Sequence, residues 1–242
     1  MAKIQEAHFK FACAKHERPF VLAIEGLNAW YGPAQALFDV SLTVSRGELV
    51  VLQGLNGAGK STLLQALIGI GPRVEGQIVW DGQTLQDWPA HRRARAGLGF
   101  VAEDRRLFTG LTVRENLWIA ARSDERGRLT DQFRKVLGLF PSLQDMLERP
   151  ASQMSGGEQQ MLALARTLMT SPRLLLLDEP CEGIAPVLVQ AMRDALLALA
   201  GEGVTMLVAE QNSILAGHAH RVLQLTSGHL SGVSERLSHP LH

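Results

Sequence analysis

The residues with the clearest chemistry lie in two short runs that share one chain. Gly54-Leu55-Asn56-Gly57-Ala58-Gly59-Lys60-Ser61, followed by Thr62, has the spacing of a phosphate-binding loop. Glycines let the backbone fold closely around a polyphosphate, so that successive N–H groups point inward and the positive end of the following helix adds to them. Lys60 suits the β- and γ-phosphates, and the Ser61 hydroxyl suits Mg²⁺. About 115 residues later, LLLLDEP (174–180) delivers Asp178 and Glu179 at the end of an apolar run. Open α/β sheets gather their ligands at such strand ends. Asp178 is placed to hold the metal ion and Glu179 to act as general base on an attacking water.

A third run, MSGGEQQ (154–160), opens a helix. Ser155 and Glu158 stand in capping-box spacing, but a capping box does not require Gly156 and Gly157. Their missing β-carbons clear an approach to free N–H groups, so this is a second phosphate-seeking helix end, without a lysine. A chain with two such ends on different lobes is expected to close each site with the MSGGEQQ helix of a second subunit.

The flanking pattern supplies the elements that position these groups. VLAIEGLN (21–28), DVSLTV (39–44) and LVVLQG (49–54) read as strands, and STLLQALIG (61–69) as a helix. EGQIVWDGQTL reads as a hairpin turning at Asp81-Gly82. LTVRENLWIAAR (111–122), with Thr112 and Glu115 as a capping box, LTDQFRKVLGLF (129–140) and the MSGGEQQ helix form a helical stretch, with SDERGR (123–128) as a charged loop within it. The α/β pattern then returns with RLLLLDE, PVLVQAMRDALLALA and VTMLVAE, and RVLQLTSGHL reads as a last short strand and turn. The expected fold is an α/β core with a helical lobe inserted.

Composition narrows the function classes. The 24 basic and 24 acidic residues balance, which argues against a nucleic-acid binder relying on a whole-protein basic field. HRRARA (91–96) reads as a solvated helix face. Cys13 and Cys181 form neither a metal spacing nor a disulfide framework, which fits a reducing, cytoplasmic setting. The richest apolar run, MLALARTLM, contains Arg166, so no membrane span is expected. Residues 1–20 lack the apolar segment of a signal peptide and read as a loose tail. His218, His220, His229, His239 and His242 lack a metal-ligand pattern and read as surface histidines.

Taken in order and spacing, GLNGAGKST, MSGGEQQ and LLLLDEP resemble the ATP-binding subunits of ABC transporters over about residues 20 to 232. The resemblance implies an α/β P-loop NTPase core with an antiparallel β-subdomain and a helical subdomain at about 104–168. It places the ATP-binding domain at 21–232 and a C-terminal tail at 233–242. It also implies ATP and Mg²⁺ as ligands, a head-to-tail ATP sandwich, and work at the cytoplasmic face of the inner membrane. The implied partners are a second ATPase, two integral membrane permeases and, indirectly, a periplasmic substrate-binding protein. Tyr31, in LNAWYGPAQAL, falls where the family stacks an aromatic ring on adenine.

Three departures narrow the branch. Glu103 stands where most members have a lid glutamine that reaches the metal, Ala185 where many have a dimer-contact Asp, and Gln211 where most have a switch histidine. These features resemble the subunits of branched-chain amino acid and of urea or short-amide importers. Glu103 favours the first group, HRRARAG and CEGIAP the second, and both stand open. Two other readings compete: a soluble ABC-type ATPase acting on nucleic acid or ribosomes, and a plain P-loop kinase or GTPase. The former usually fuses two cassettes or inserts long coiled coils, neither of which this sequence has. The latter leaves MSGGEQQ unexplained.

Overall fold

The structure, a computed structural model, describes residues 20–121 and 126–235. Along the chain run β1 (Phe20–Tyr31), β2 (Ala34–Ser45), β3 (Leu49–Gln53), α1 (Lys60–Ile68), β4 (Arg73–Trp80), β5 (Gln83–Thr84), α2 (Ala90–Arg95) and β6 (Leu98–Val101). After them come α3 (Val113–Ala120), α4 (Arg126–Leu139), α5 (Pro141–Gln144), α6 (Gly156–Leu168), β7 (Leu174–Asp178), α7 (Pro186–Gly201), β8 (Thr205–Glu210), β9 (Arg221–Thr226) and β10 (His229–Glu235).

Two sheets organise these elements. One is antiparallel, in the order β2-β1-β4-β5, and the other has six strands in the order β10-β9-β3-β8-β7-β6. In the second sheet β9, β3, β8, β7 and β6 pair in parallel, and only β10 is antiparallel. The continuous apolar run in β7 follows from burial on both faces. Leu175 and Leu177 enter a core shared with α3, α6 and α7, whereas Leu174 and Leu176 enter the core beneath α1 and the antiparallel sheet. Each fully buried leucine contributes about 2 kcal/mol, so this strand is fixed from both sides before it delivers its acids.

The expected hairpin turns at Asp81 and Gly82, both with positive φ (48° and 76°), as a two-residue hairpin loop requires. The Thr112 capping box forms at the start of α3.

Several expectations need correction. Helix α4 begins at Arg126, so residues 126–128 are helical rather than part of the charged loop, whose positions 123–125 lie outside the described residues. Strand β1 already includes Phe20, and β10 runs past residue 232 to Glu235, so the strands extend beyond the expected bounds of the domain at both ends. The solvated-face reading of HRRARA fails at Arg93, which is buried. Its guanidinium donates to the carbonyls of Ala66 and Leu67 at the end of α1 (2.8 and 2.9 Å) and to those of Leu85 and Trp88 (2.8 and 2.9 Å). A cation among helix C-terminal carbonyls replaces its water with aligned dipoles. His220 is likewise half-buried, and its Nδ1 accepts the Leu49 N–H at 3.1 Å. His239, His242 and Cys13 lie outside the described residues.

Candidate functional site: a phosphate cleft at the strand ends

The loop between β3 and α1 folds as its glycines require. A β-carbon on Gly54 would collide with the Leu225 carbonyl, and Gly59 takes φ 105° with Leu37 Cδ2 only 2.8 Å from where a β-carbon would sit. Gly59 is also the N-cap of α1, with no side chain to satisfy the first-turn N–H groups. The residues of that first turn line a cleft of about 670 Å³. Of the expected residues, Asn56, Gly57, Gly59, Lys60, Ser61, Thr62, Glu103 and Glu179 line it.

The acids meet the loop directly. Ser61 Oγ donates to Asp178 Oδ1 at 2.9 Å. Lys60 Nζ donates to the carbonyls of Gly54 (2.7 Å) and Leu55 (3.1 Å) and lies 2.9 Å from Glu179 Oε1. Glu179 sits in a left-handed conformation at φ 46°, and its Oε2 accepts the Gln211 N–H at 3.0 Å. Lys60, Asp178 and Glu179 are all at least nine-tenths buried. Burial pushes the Asp178 carboxyl up to about 6; the Ser61 hydrogen bond opposes that rise, and the charges of Glu103 and Glu179 add to it. Buried carboxylates beside a hydroxyl suit a hard divalent cation. The protein alone offers too few ligands for a closed cage, as is usual where phosphates supply the remainder.

Other expected residues lie elsewhere. Gly54, Leu55, Ala58 and Gln211 line a neighbouring cavity of about 350 Å³ rather than the main cleft. Tyr31 lines neither cavity; its hydroxyl donates to Gln65 Oε1 at 2.7 Å on the exposed side of α1. Ser155, Gly156, Gly157 and Glu158 also lie outside both cavities. Their capping box is complete: the Ser155 N–H donates to Glu158 Oε2 at 2.7 Å and the Glu158 N–H to Ser155 Oγ at 3.4 Å. Gly157 has a packing reason that the sequence reading lacked. Its β-carbon would collide with Leu188 Cδ1 of α7, so this glycine lets two helices approach.

The reading along the chain missed Gln35, Ala36 and Phe38 of β2 and Ser227-Gly228 of the β9–β10 turn, which also line the cleft. The turn is held in place because Phe38 N donates to Gly228 O and Gly228 N to Ala58 O, both at 2.9 Å. These residues carry no motif, and only the pairing of distant strands brings them to the loop. Glu210, at the end of β8, was also missed. It is buried, accepts the Leu215 N–H at 3.3 Å, and is pushed up to about 7, chiefly by burial.

A P-loop facing paired acids on a parallel sheet defines a P-loop NTPase, and the helical lobe carrying a second glycine-rich helix start narrows the class further. The ABC transporter family profile matches residues 37–182. The chain is 45% identical over 193 residues to the high-affinity branched-chain amino acid transport ATP-binding protein BraG of Pseudomonas aeruginosa, covering 80% of this chain and 83% of that one. It is 35% identical over 187 residues to a probable branched-chain amino acid transport ATP-binding protein, LivF, of Archaeoglobus fulgidus, covering 77% and 79%. A solved ATP-binding subunit of an ABC transporter superposes with a TM-score of 0.78 at 27% identity, covering 89% of this chain and 90% of that one. The chain belongs to the ABC transporter family, as an ATP-binding and ATP-hydrolysing subunit that works with membrane permease subunits. Among the described residues no helix is long and apolar enough to cross a membrane.

Proposed function

We propose that the chain powers import of branched-chain amino acids from the cytoplasmic face of the inner membrane. In this reading it pairs with a second ATPase beneath two permeases, and a periplasmic binding protein delivers the solute. The similarity to two transport subunits named for these amino acids, over four-fifths of the chain in the higher-identity case, carries the choice of solute.

The cleft geometry supports a division of labour. Loop N–H groups and Lys60 hold the β- and γ-phosphates, whose oxygens take over the contacts Lys60 makes with loop carbonyls. Ser61 and Asp178, with Glu103 at the lid, would hold Mg²⁺, which supplies charge neutralisation at the γ-phosphate. Glu179 accepts the proton of the attacking water, held in position by the Gln211 N–H. Tyr31 would have to leave Gln65 to stack on adenine, a change that a half-exposed side chain at a strand end can make.

Ser155–Glu158 lie outside the cleft of their own chain, which supports their acting on the nucleotide of a second subunit. Gln211 can offer that site only a neutral amide where a histidine offers a cation. This favours a heterodimer in which the two sites turn over unequally. Uptake of labelled leucine, urea and a short amide by vesicles holding the complete complex tests the assignment. ATP-dependent leucine uptake is expected, and uptake confined to urea or amides would overturn the choice of solute.

A further inference from the structure

The second glycine-rich helix start has no lysine in its sequence, but the fold brings a cation to it. Arg105 lies in the segment after β6, two residues beyond Glu103, and its guanidinium reaches the first turns of α6. It donates to Gln159 Oε1 at 3.2 Å and to Gln160 Oε1 at 3.3 Å. A β-carbon on Gly156 would sit 3.1 Å from its terminal nitrogen. Arg105 and Arg106 hold consecutive left-handed conformations, φ 61° and 48°, which non-glycine residues adopt only where the surroundings impose them.

The electrostatics of this arrangement are one-sided. A guanidinium rests at the positive end of a 13-residue helix, and its hydrogen-bond partners are neutral amide oxygens. Among the described residues no carboxylate comes within ion-pair distance of it. The nearby Glu158 carboxylate is engaged by the Ser155 N–H. A second guanidinium, Arg166, donates to the Arg105 carbonyl at 3.4 Å. Gln160 is 3% exposed, and its Nε2 has no hydrogen-bond partner, so one more buried donor stands beside the guanidinium. Helix N–H groups, a guanidinium and an unused amide donor are all seekers of negative charge.

We infer that Arg105 and the first turn of α6 together form a cationic site for the terminal phosphate of the nucleotide held by the opposing ATPase subunit. The inference rests on the paired-subunit reading above. It adds to that reading a charged ligand drawn from the lid segment of the same chain. Glu103 lines the cleft of its own chain while Arg105 serves the other, so one short segment touches both nucleotides.

The test compares Arg105→Ala, Arg105→Gln and Arg105→Lys in the complete complex, with ATP binding by the isolated chain measured beside ATPase activity. Loss of a charge-assisted contact is expected to lower turnover roughly 10- to 100-fold in the Ala and Gln variants. Lys is expected to restore it to within about threefold. Isolated-chain ATP affinity and thermal midpoint should stay near the parent values. Glutamine keeps the hydrogen-bonding capacity without the charge, so restoration by Gln as full as by Lys would reduce Arg105 to a scaffold for α6 and overturn the proposal. Unchanged turnover in Arg105→Ala would overturn it as well. If instead the parent chain reached full activity as a monomer, the paired-subunit reading would fall and this inference with it.

Discussion

The two helix starts that we propose as phosphate sites are built in opposite ways. At α1 the N-cap is Gly59, no side chain satisfies the first-turn donors, and the cation, Lys60, belongs to the motif itself. At α6 the N-cap is Ser155, a full capping box occupies it, and the cation arrives from Arg105, about fifty residues upstream. The surroundings differ in sign too. Behind α1 stand the buried acids Asp178, Glu179 and Glu210, whereas beside α6 stand Arg105 and Arg166. An acid-rich cleft works once a metal and a polyphosphate enter it, and a cation-rich helix end works once another molecule brings it an anion. On the proposed paired-subunit reading, the α1 end holds the phosphates and the metal-binding groups of a site, and the α6 end supplies what closes the site of the neighbour.

The largest effect should come from the acid side. Glu179→Gln is expected to bind ATP normally and hydrolyse it at least ~10²-fold more slowly, the scale for losing a general base. Parent-like turnover in that variant would remove Glu179 from the role. On the other side, Ser155→Arg places a bulky side chain at the start of α6. It should leave ATP affinity of the isolated chain intact while abolishing turnover of the assembled complex. Equal damage to isolated-chain binding would mean that both helix starts serve one nucleotide, and the contrast would collapse.

How far each end was legible along the chain follows from the range of its contacts. Lys60, Ser61, Asp178 and Glu179 come from one run of adjacent residues plus one strand end, so glycine spacing and the LLLLDEP run were enough to place them together. Both capping boxes were legible because their bonds span three residues. Arg93, Arg105 and Phe38 were not, because each makes contacts across 26 or more residues through packing that no local pattern encodes. The surface reading of His220 erred for the same reason, since nothing near it in sequence announces its bond to Leu49, whereas His218 and His229 are exposed as expected.

The paired glycines of MSGGEQQ separate packing from chemistry. At Gly157 a methyl group runs into Leu188 of α7, and overpacking of this kind costs about 1–3 kcal/mol. At Gly156 it meets only the flexible end of Arg105. Gly157→Ala should therefore lower the thermal midpoint, whereas Gly156→Ala should lower ATPase activity of the complex with little loss of stability. Equal thermal shifts would show that neither glycine is reserved for a ligand.

The smallest effect concerns the acid side when no nucleotide is present. Glu210 is buried behind the P-loop, its backbone carbonyl accepting the Gly54 N–H, and its carboxyl is raised from 4.5 to about 7, first by burial. The Leu215 N–H and the Cys181 thiol oppose that rise, and the Glu179 charge adds to it. Because the folded value lies above the unfolded one, folding takes up a proton between them. The stability from this group is complete below about 4.5 and is lost as pH rises through about 7. Glu210→Gln removes the titration and keeps the shape. It should raise stability by on the order of 2 kcal/mol at pH 8, roughly 4–8 °C in thermal midpoint for a chain of this size, and by much less at pH 5. Asp178 carries a shift of the same sign, but parent and variant share it, so it cancels in the difference. Thermal midpoints of both proteins at the two pH values make the comparison. A gain independent of pH would mean that Glu210 keeps its charge in the folded chain, and a loss at pH 8 would mean that its carboxylate is needed to hold the segment after β8. Either result would break the account in which the buried acids Asp178 and Glu210, behind the P-loop, are costly to ionise in the nucleotide-free chain.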